Sequence, residues 1–296
     1  MKKESNNDKG VVVFAYQNMG IIGLTSLIEK GVKIIHVITH KDNPNHDVWW
    51  DSVAEFCKKK NICFSFIEDT GHEDVYNSIK DHDIQCIFSF HYRRIIPEKI
   101  LELALHGGIN LHCSPLPKYK GKAPVNWQII NGESFTGVSL HYMTKEIDSG
   151  DIIDVKKTKI LDSDDIMSVY NKLEQVAKNL LSHNIPLIIE GKNKRYSQNL
   201  NDSTYFGGRK PEDGRIDWNK SSKEILNLIR AITKPYPGAF TTIGDKKYII
   251  WKAKQLKNKP TPIPMHEDHL VTSKNLYFKT KDGFIEVNDF NIINIK

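Results

Sequence analysis

The chain has 296 residues, 39% of them hydrophobic and 26% charged, with four cysteines. That is enough chain for one large or two modest domains with a substantial core, at a composition ordinary for a globular protein. No stretch reaches the roughly 18 unbroken apolar residues that span a bilayer, and the polar start runs into an apolar segment too short for a secretory signal, so a cytoplasmic protein with no membrane partner is expected.

The net charge of +6 is uneven. Residues 1–204 carry 25 Lys/Arg against 26 Asp/Glu, and residues 205–296 carry 17 against 10. A basic tail half suits an anionic partner, such as a nucleotide diphosphate, a folate glutamate tail or RNA, and equally a lysine-rich solvated surface. Cys57, Cys63, Cys86 and Cys113 include no C-x-x-C pair. They are expected to be buried as small hydrophobes, and no metal is expected.

Residues 10–16, GVVVFAY, form a short apolar β-branched run that predicts a buried parallel strand. Gly20 and Gly23 follow in a stretch that reads as a helix. Residues 32–39 predict a second strand, and Lys41 to Asn45, with Asn43-Pro44, a turn-rich loop. Residues 49–60 read as a helix, 63–67 as a strand, 73–80 as a helix and 86–90 as a strand. Residues 96–105 read as a helix opening with Pro97, where a missing N–H costs least. Residues 108–112 form a fifth strand that runs into the proline-rich loop 113–120. This alternation implies an α/β fold with a doubly wound, Rossmann-like parallel sheet, whose ligands sit at the carboxyl ends of the strands. Gly20-x-x-Gly23 is not a dinucleotide fingerprint, and serves equally as a device for tight helix–strand packing.

Further on, 123–131 reads as a helix. Residues 137–142 alternate like a strand, with 152–155 as a hairpin partner across Asp148-Ser149-Gly150-Asp151. Residues 166–189 predict a long helix with Pro186 late in it. The polar, irregular stretch 193–206 predicts the linker between a catalytic domain, 1–204, and a smaller C-terminal domain, 205–296. The latter shows a helix at 222–232 and short strands at 248–251, 276–278 and 284–287, the spacing of a β-rich, barrel-like domain.

The chemistry concentrates at three residues. Asn110 and His112 are two apart on a strand end and share a face. Asp148 stands in a glycine-flanked turn. An amide, an imidazole and a carboxylate suffice for acyl transfer to an amine. Histidine accepts the amine proton, aspartate orients the ring and stabilises the imidazolium, and asparagine donates to the developing oxyanion. Each also has an ordinary structural reading: a hydrogen-bonded histidine, an Asx turn. Cys113, next to His112, points to the other face of the strand and is discounted as a nucleophile.

Residues 108–127, GINLHCSPLPKYKGKAPVNW, together with Gly137 to His141 and Asp148-Ser149-Gly150, resemble the signature of the folate-dependent formyltransferase superfamily. The one departure is Pro115, where many members have leucine. Within the superfamily the chain is similar to the bacterial amino-sugar N-formyltransferases, such as the domain acting on UDP-4-amino-4-deoxyarabinose. The matching segments are Phe14-Ala15-Tyr16 with Met19-Gly20, Thr39-His40 with Asp42-Asn43-Pro44, Phe88 to Arg93, Tyr205-Phe206-Gly207 with Arg209 and Pro211, and Pro235 to Phe240. The likeness runs from about residue 11 to 255.

The resemblance implies N10-formyltetrahydrofolate as formyl donor, held by the loop His91, Tyr92, Arg93, Arg94, Ile95 and Ile96, and Asn110, His112 and Asp148 as the catalytic trio. It implies a dTDP- or UDP-linked 4-amino sugar as acceptor, touched by Tyr16, Met19, Gly20, Lys118, Lys120, Lys122, Trp127, Tyr205 and Arg209. The lysines would meet a pyrophosphate or else belong to a solvated loop; Trp127 would stack on a ligand or else fill core. It further implies tetrahydrofolate as product, a role in lipopolysaccharide or O-antigen synthesis, and no nucleic-acid partner. A homodimer is the default oligomer. The alternatives are methionyl-tRNA formyltransferase, for which the basic tail speaks, a formyltetrahydrofolate hydrolase, and a folate-binding module, against which an intact base speaks.

Overall fold

In a computed structural model, residues 9–42, 49–256, 258, 260, 268–272 and 274–295 are described. Asn43 and Pro44 lie outside them. The chain divides into two compact units: Met1–Gly121 with Thr136–Thr158 and Asn171–Tyr205, and Lys122–Phe135 with Lys159–Tyr170 and Phe206–Lys296.

The first unit is built on a sheet that opens with β1 (Gly10–Ala15), buried at every residue as a central parallel strand must be. Then come α1 (Gln17–Glu29), β2 (Ile34–Thr39), α2 (Val53–Lys60), β3 (Phe64–Phe66), α3 (Ile67–Ile79), β4 (Ile84–Phe90), α4 (Glu98–Leu101), β5 (Gly108–His112), β6 (Lys120–Gly121), β7 (Phe135–Tyr142) and β8 (Ile152–Lys159), while α5 (Pro124–Ile130), between β6 and β7 in the chain, belongs to the second unit. The strand order is β3-β2-β1-β4-β5-β7-β8. The pairs from β3 to β5 are parallel, and β7 runs antiparallel to β5. The order reverses between β1 and β4, so a ligand crevice is expected at their carboxyl ends. One face of the sheet packs Val12, Phe14, Ile38 and Ile87 against Ile67, Val75, Ile79, Ile96 and Ile100. α1 approaches β4 so closely that a Cβ on Gly23 would come 2.1 Å from the Phe90 ring. Gly20 is confined less severely, its Cβ position lying 3.0 Å from Val53. Both glycines therefore serve packing.

Several elements differ from the sequence reading for physical reasons. α2 begins at Val53 rather than Trp49: the Trp49 and Trp50 rings meet edge to face and the Trp50 indole donates to Asp42, which keeps both in the preceding loop. α3 starts six residues before Glu73 and bends at Gly71, whose φ is 73°. α4 is a single turn, because the N–H groups of Leu105 and His106 go to Ile84 and Gln85 of β4 instead of continuing a helix. The four cysteines form no disulfide, and Cys63 is exposed rather than buried. α6 (Ile166–Ile189) matches its expected span, Pro186 included.

The stretch 193–206 is not a free linker. Tyr196 pairs with Ile152 of β8, a short 3₁₀ turn covers Leu200–Asp202, and β9 (Tyr205–Phe206) pairs with β6.

In the second unit, α7 (Ser222–Ala231) starts with a capping box in which Ser221 and Glu224 satisfy each other's backbone N–H. The sheet is antiparallel, in the order β10 (Ala239–Ile243), β11 (Lys246–Leu256), β14 (Gly283–Asn294), β13 (Leu276–Thr280), β12 (His269–Val271). It is an open half-barrel: among the described residues β10 and β12 pair only on one side. β11 and β14 are far longer than the short strands expected, because charged residues alternate through their solvent-facing positions and mask the run. No helix among the described residues is long and apolar enough to cross a membrane.

Candidate active site

The pleat of β5 puts Asn110 and His112 on one face at the carboxyl end of the sheet. The β5–β7 register places His141 opposite Asn110 and Ser139 opposite His112. The Ser139 hydroxyl donates to the Ser114 carbonyl at 2.7 Å and accepts the Leu116 N–H at 3.1 Å, which seats the proline loop, cis at Leu116–Pro117, over the strand ends.

His112 is 7% exposed. Its Nε2 donates to the Tyr119 carbonyl at 2.8 Å, which leaves the neutral ring's lone pair on Nδ1. That Nδ1 faces the Asp148 carboxylate at 3.6 Å. The ring is thus oriented by a backbone carbonyl, with the carboxylate standing off as an electrostatic partner. Burial pushes the His112 pKa below its ordinary 6.5, against the pull of Asp148 and of the Tyr119 carbonyl.

Asp148 has a left-handed backbone, φ 51°, and its side chain is 9% exposed. One carboxylate oxygen accepts the Gly121 N–H at 2.9 Å, and the other the Asn110 amide at 3.4 Å. Burial works to raise its pKa, but His112, His141 and the Gly121 N–H outweigh it and hold the carboxyl well below the usual range. Asn110 also donates to His141 Nε2 at 3.1 Å, with His141 fixed by donation from Nδ1 to the Tyr142 carbonyl at 2.9 Å. Both amide hydrogens of Asn110 are therefore engaged, and the longer bond, to Asp148, is the one an oxyanion can replace.

The loop from His91 to Ile96 follows β4 at the reversal of strand order, with His91 left-handed at φ 56°. It is anchored by His40, whose Nδ1 donates to Glu68 at 2.7 Å while its Nε2 accepts the Arg93 N–H at 3.2 Å. Tyr92 stacks on His40 at 4.7 Å, and the Arg93 guanidinium lies 5.2 Å over Tyr16. Arg94 and Ile95 are exposed and Ile96 is buried. Burial pushes the His91 pKa down to about 4, helped by His112 and Arg93. Burial and Asp42 push the Tyr16 hydroxyl up to about 12.

The remaining residues separate by unit. In the first, Met19 and Gly20 are buried within α1, and Lys118 and Tyr205 are exposed. Lys120 is only 4% exposed and turns its ammonium inward, donating to the Ser149 hydroxyl at 3.0 Å. In the second, Lys122 is exposed, the Arg209 guanidinium lies 4.6 Å over the Trp127 ring, and the Trp127 indole donates to Gly207 at 3.0 Å. Among the described residues no cluster of His, Cys, Asp and Glu could hold a metal ion.

His141 was not singled out from the sequence, and neither were Gln198 and Thr204. The Gln198 amide donates to the backbone carbonyls of Asp148 and Gly150 at 2.9 and 2.7 Å, and the Thr204 hydroxyl accepts the Tyr119 N–H at 2.9 Å.

A doubly wound sheet gathers at its strand ends an amide, a neutral buried imidazole and an ionised carboxylate, the groups that acyl transfer to an amine requires. Residues 11–185 match the formyl transferase family, and residues 209–294 match the formyl transferase C-terminal domain. The chain belongs to the formyl transferase family.

Among solved structures it is similar to WlaRD, a sugar 3N-formyl transferase determined in the presence of dTDP and 5-N-formyl-THF. Identity is 25% over 95% of this chain and 97% of that one, with a TM-score of 0.73. An N-formyltransferase from Helicobacter canadensis, in complex with folinic acid and dTDP-3-aminofucose, shares 24% over 95% of this chain and 99% of that one, with a TM-score of 0.71. Methionyl-tRNA formyltransferase from Clostridium thermocellum shares 18% over 97% and 99%, with a TM-score of 0.61. The last two likenesses speak for the fold.

Proposed function

We propose that the protein transfers the formyl group of N10-formyltetrahydrofolate to the amine of a nucleotide-linked amino sugar. The observation that carries this is the convergence of Asn110, His112 and Asp148 at the end of β5 in a chain of the formyl transferase family. The likeness to a sugar 3N-formyl transferase studied with dTDP and a formyl folate supports the acceptor and donor classes.

In this reading the acceptor nitrogen attacks the formyl carbon. His112 takes the amine proton on Nδ1, and Asp148 stabilises the imidazolium. Asn110 exchanges its bond to Asp148 for one to the oxyanion. The bond from the formyl carbon to the folate nitrogen then breaks, and the proton held on His112 passes to that nitrogen. The donor lies along the anchored loop His91 to Ile96. Lys118 and Tyr205, exposed in the first unit, recognise the nucleotide. Residues 1–204 act as the catalytic domain and 205–296 as the β-rich domain, in a cytoplasmic homodimer that supplies a cell-envelope polysaccharide.

The segments shared with the amino-sugar branch favour a 4-amino acceptor, while the two sugar N-formyltransferases described above are linked to 3-amino chemistry. The test is therefore a panel of dTDP- and UDP-linked 3- and 4-amino sugars, with methionyl-tRNA, offered to the purified protein and N10-formyltetrahydrofolate. Formylation of at least one sugar is expected. Formyl-methionyl-tRNA as the sole product, or release of formate alone, overturns the sugar reading.

A further inference from the structure

We propose that segment 196–204 is a positioning strap for the reaction centre, in which Gln198 sets the turn that carries Asp148 and Thr204 sets the carbonyl that orients His112. The proposal rests on the assignment of Asn110, His112 and Asp148 above, and it concerns residues that touch none of the reacting atoms.

The strap is bound to the first unit at several points along its length. Tyr196 exchanges two backbone hydrogen bonds with Ile152, at 2.8 and 2.9 Å. The Ser197 hydroxyl donates to the Asp151 carboxylate at 3.0 Å. Gln198 then spends both hydrogens of one amide nitrogen on two carbonyls of one turn, those of Asp148 and Gly150. Such a clamp fixes the rotation of the peptide units that follow Asp148 and Gly150. The turn needs it: Asp148 is left-handed without being glycine, a conformation that persists only where the surroundings over-determine it. Gly150 is pinned from the other side, since a Cβ there would lie 2.1 Å from the Tyr142 carbonyl oxygen. The side-chain oxygen of Gln198 is buried without a hydrogen-bond partner, so the residue gives up one polar contact to keep the two donations.

At the far end, the Thr204 hydroxyl accepts the Tyr119 N–H and the Thr204 carbonyl accepts the Lys120 N–H, each at 2.9 Å. Tyr119 is likewise a non-glycine residue in the left-handed region, φ 60°, and its carbonyl receives the Nε2 proton of His112. One irregular segment thus fixes the carboxylate through Gln198 and the imidazole through Thr204. A misplacement of about 1 Å at a reaction centre can cost on the order of 10²-fold in rate.

The variants that test this keep size and remove hydrogen bonding: Gln198→Met and Thr204→Val, with Thr204→Ser to restore the hydroxyl and Gln198→Glu as the isosteric alternative should Gln198→Met fail to fold. His112→Ala is the reference. With the acceptor that the sugar panel identifies, Gln198→Met or Gln198→Glu is expected to lower kcat about 10- to 100-fold with the KM for the formyl donor within about 2-fold of wild type, since the donor loop is anchored by His40 and not by the strap. Thr204→Val should lower kcat and Thr204→Ser return it.

Independently of any acceptor, the His112 Nε2 proton should give a slowly exchanging imidazole resonance that is lost in Thr204→Val and regained in Thr204→Ser. If His112→Ala abolishes turnover while the strap variants keep kcat within about 2-fold, or if the imidazole resonance is the same in all Thr204 variants, the strap is only structural and the proposal fails. If His112→Ala itself turns over normally, the catalytic assignment fails instead.

Discussion

The carboxyl end of β5 and the segment 193–205 both bear on the same few atoms, by opposite means. β5 delivers Asn110 and His112 through regular geometry: the pleat fixes their shared face, and buried neighbours on both sides fix the strand. The segment 193–205 has almost no regular structure, and acts through hydrogen bonds aimed at the backbone of other loops. On the catalytic assignment proposed above, a substitution on the strand removes a reacting group and leaves its neighbours in place, whereas one on the irregular segment removes nothing that reacts and displaces groups that do.

The largest effect expected on the strand side is from His112→Ala, which should reduce kcat by at least about 10²-fold while a thermal melt shows a folded protein. Asn110→Ala should cost about 10²–10³-fold through the lost oxyanion donor. If both changes instead act mainly on KM, β5 serves binding and the contrast with the irregular segment collapses.

The pH profile sharpens the same point. His112 accepts a proton only when neutral, and burial lowers its pKa below 6.5, so the acid limb of kcat should lie below that value. The histidines and carboxylate facing it form a coupled set, so the limb reports a macroscopic value. A limb at or above 6.5 would mean that Asp148 outweighs burial.

A smaller effect, on stability more than on turnover, is expected from Gly23→Ala. Its Cβ would press on the Phe90 ring and should destabilise by about 1–3 kcal/mol in urea unfolding. The smallest belongs to the second unit. Ser221→Ala removes the cap of α7 and should cost about 1 kcal/mol with turnover unchanged.

What could be read from the sequence follows the same division. Strand β1 is legible because a buried parallel strand is a run of β-branched and other apolar residues, β2, β4 and β5 because short mostly apolar stretches alternate with helical ones, and Asn110 with His112 because a period of two needs no partner to interpret. Asp148 could be picked out because its turn is flanked by glycine. His141 could not, since its place beside Asn110 depends on how two strands some thirty residues apart align. Gln198 and Thr204 lie in a polar stretch with no period at all, where a residue's role is settled by contacts distant in the chain. The one-turn α4 illustrates the limit within regular structure: its apolar pattern continues past Leu101, but the backbone donors are claimed by β4.

The bond from His112 to the Tyr119 carbonyl also leaves the imidazole a base with a single working nitrogen. A ring held in this way cannot pass a proton through itself from one side of the site to the other. Whatever proton it accepts at Nδ1 it must give back from Nδ1, within the same pocket and beside the same carboxylate.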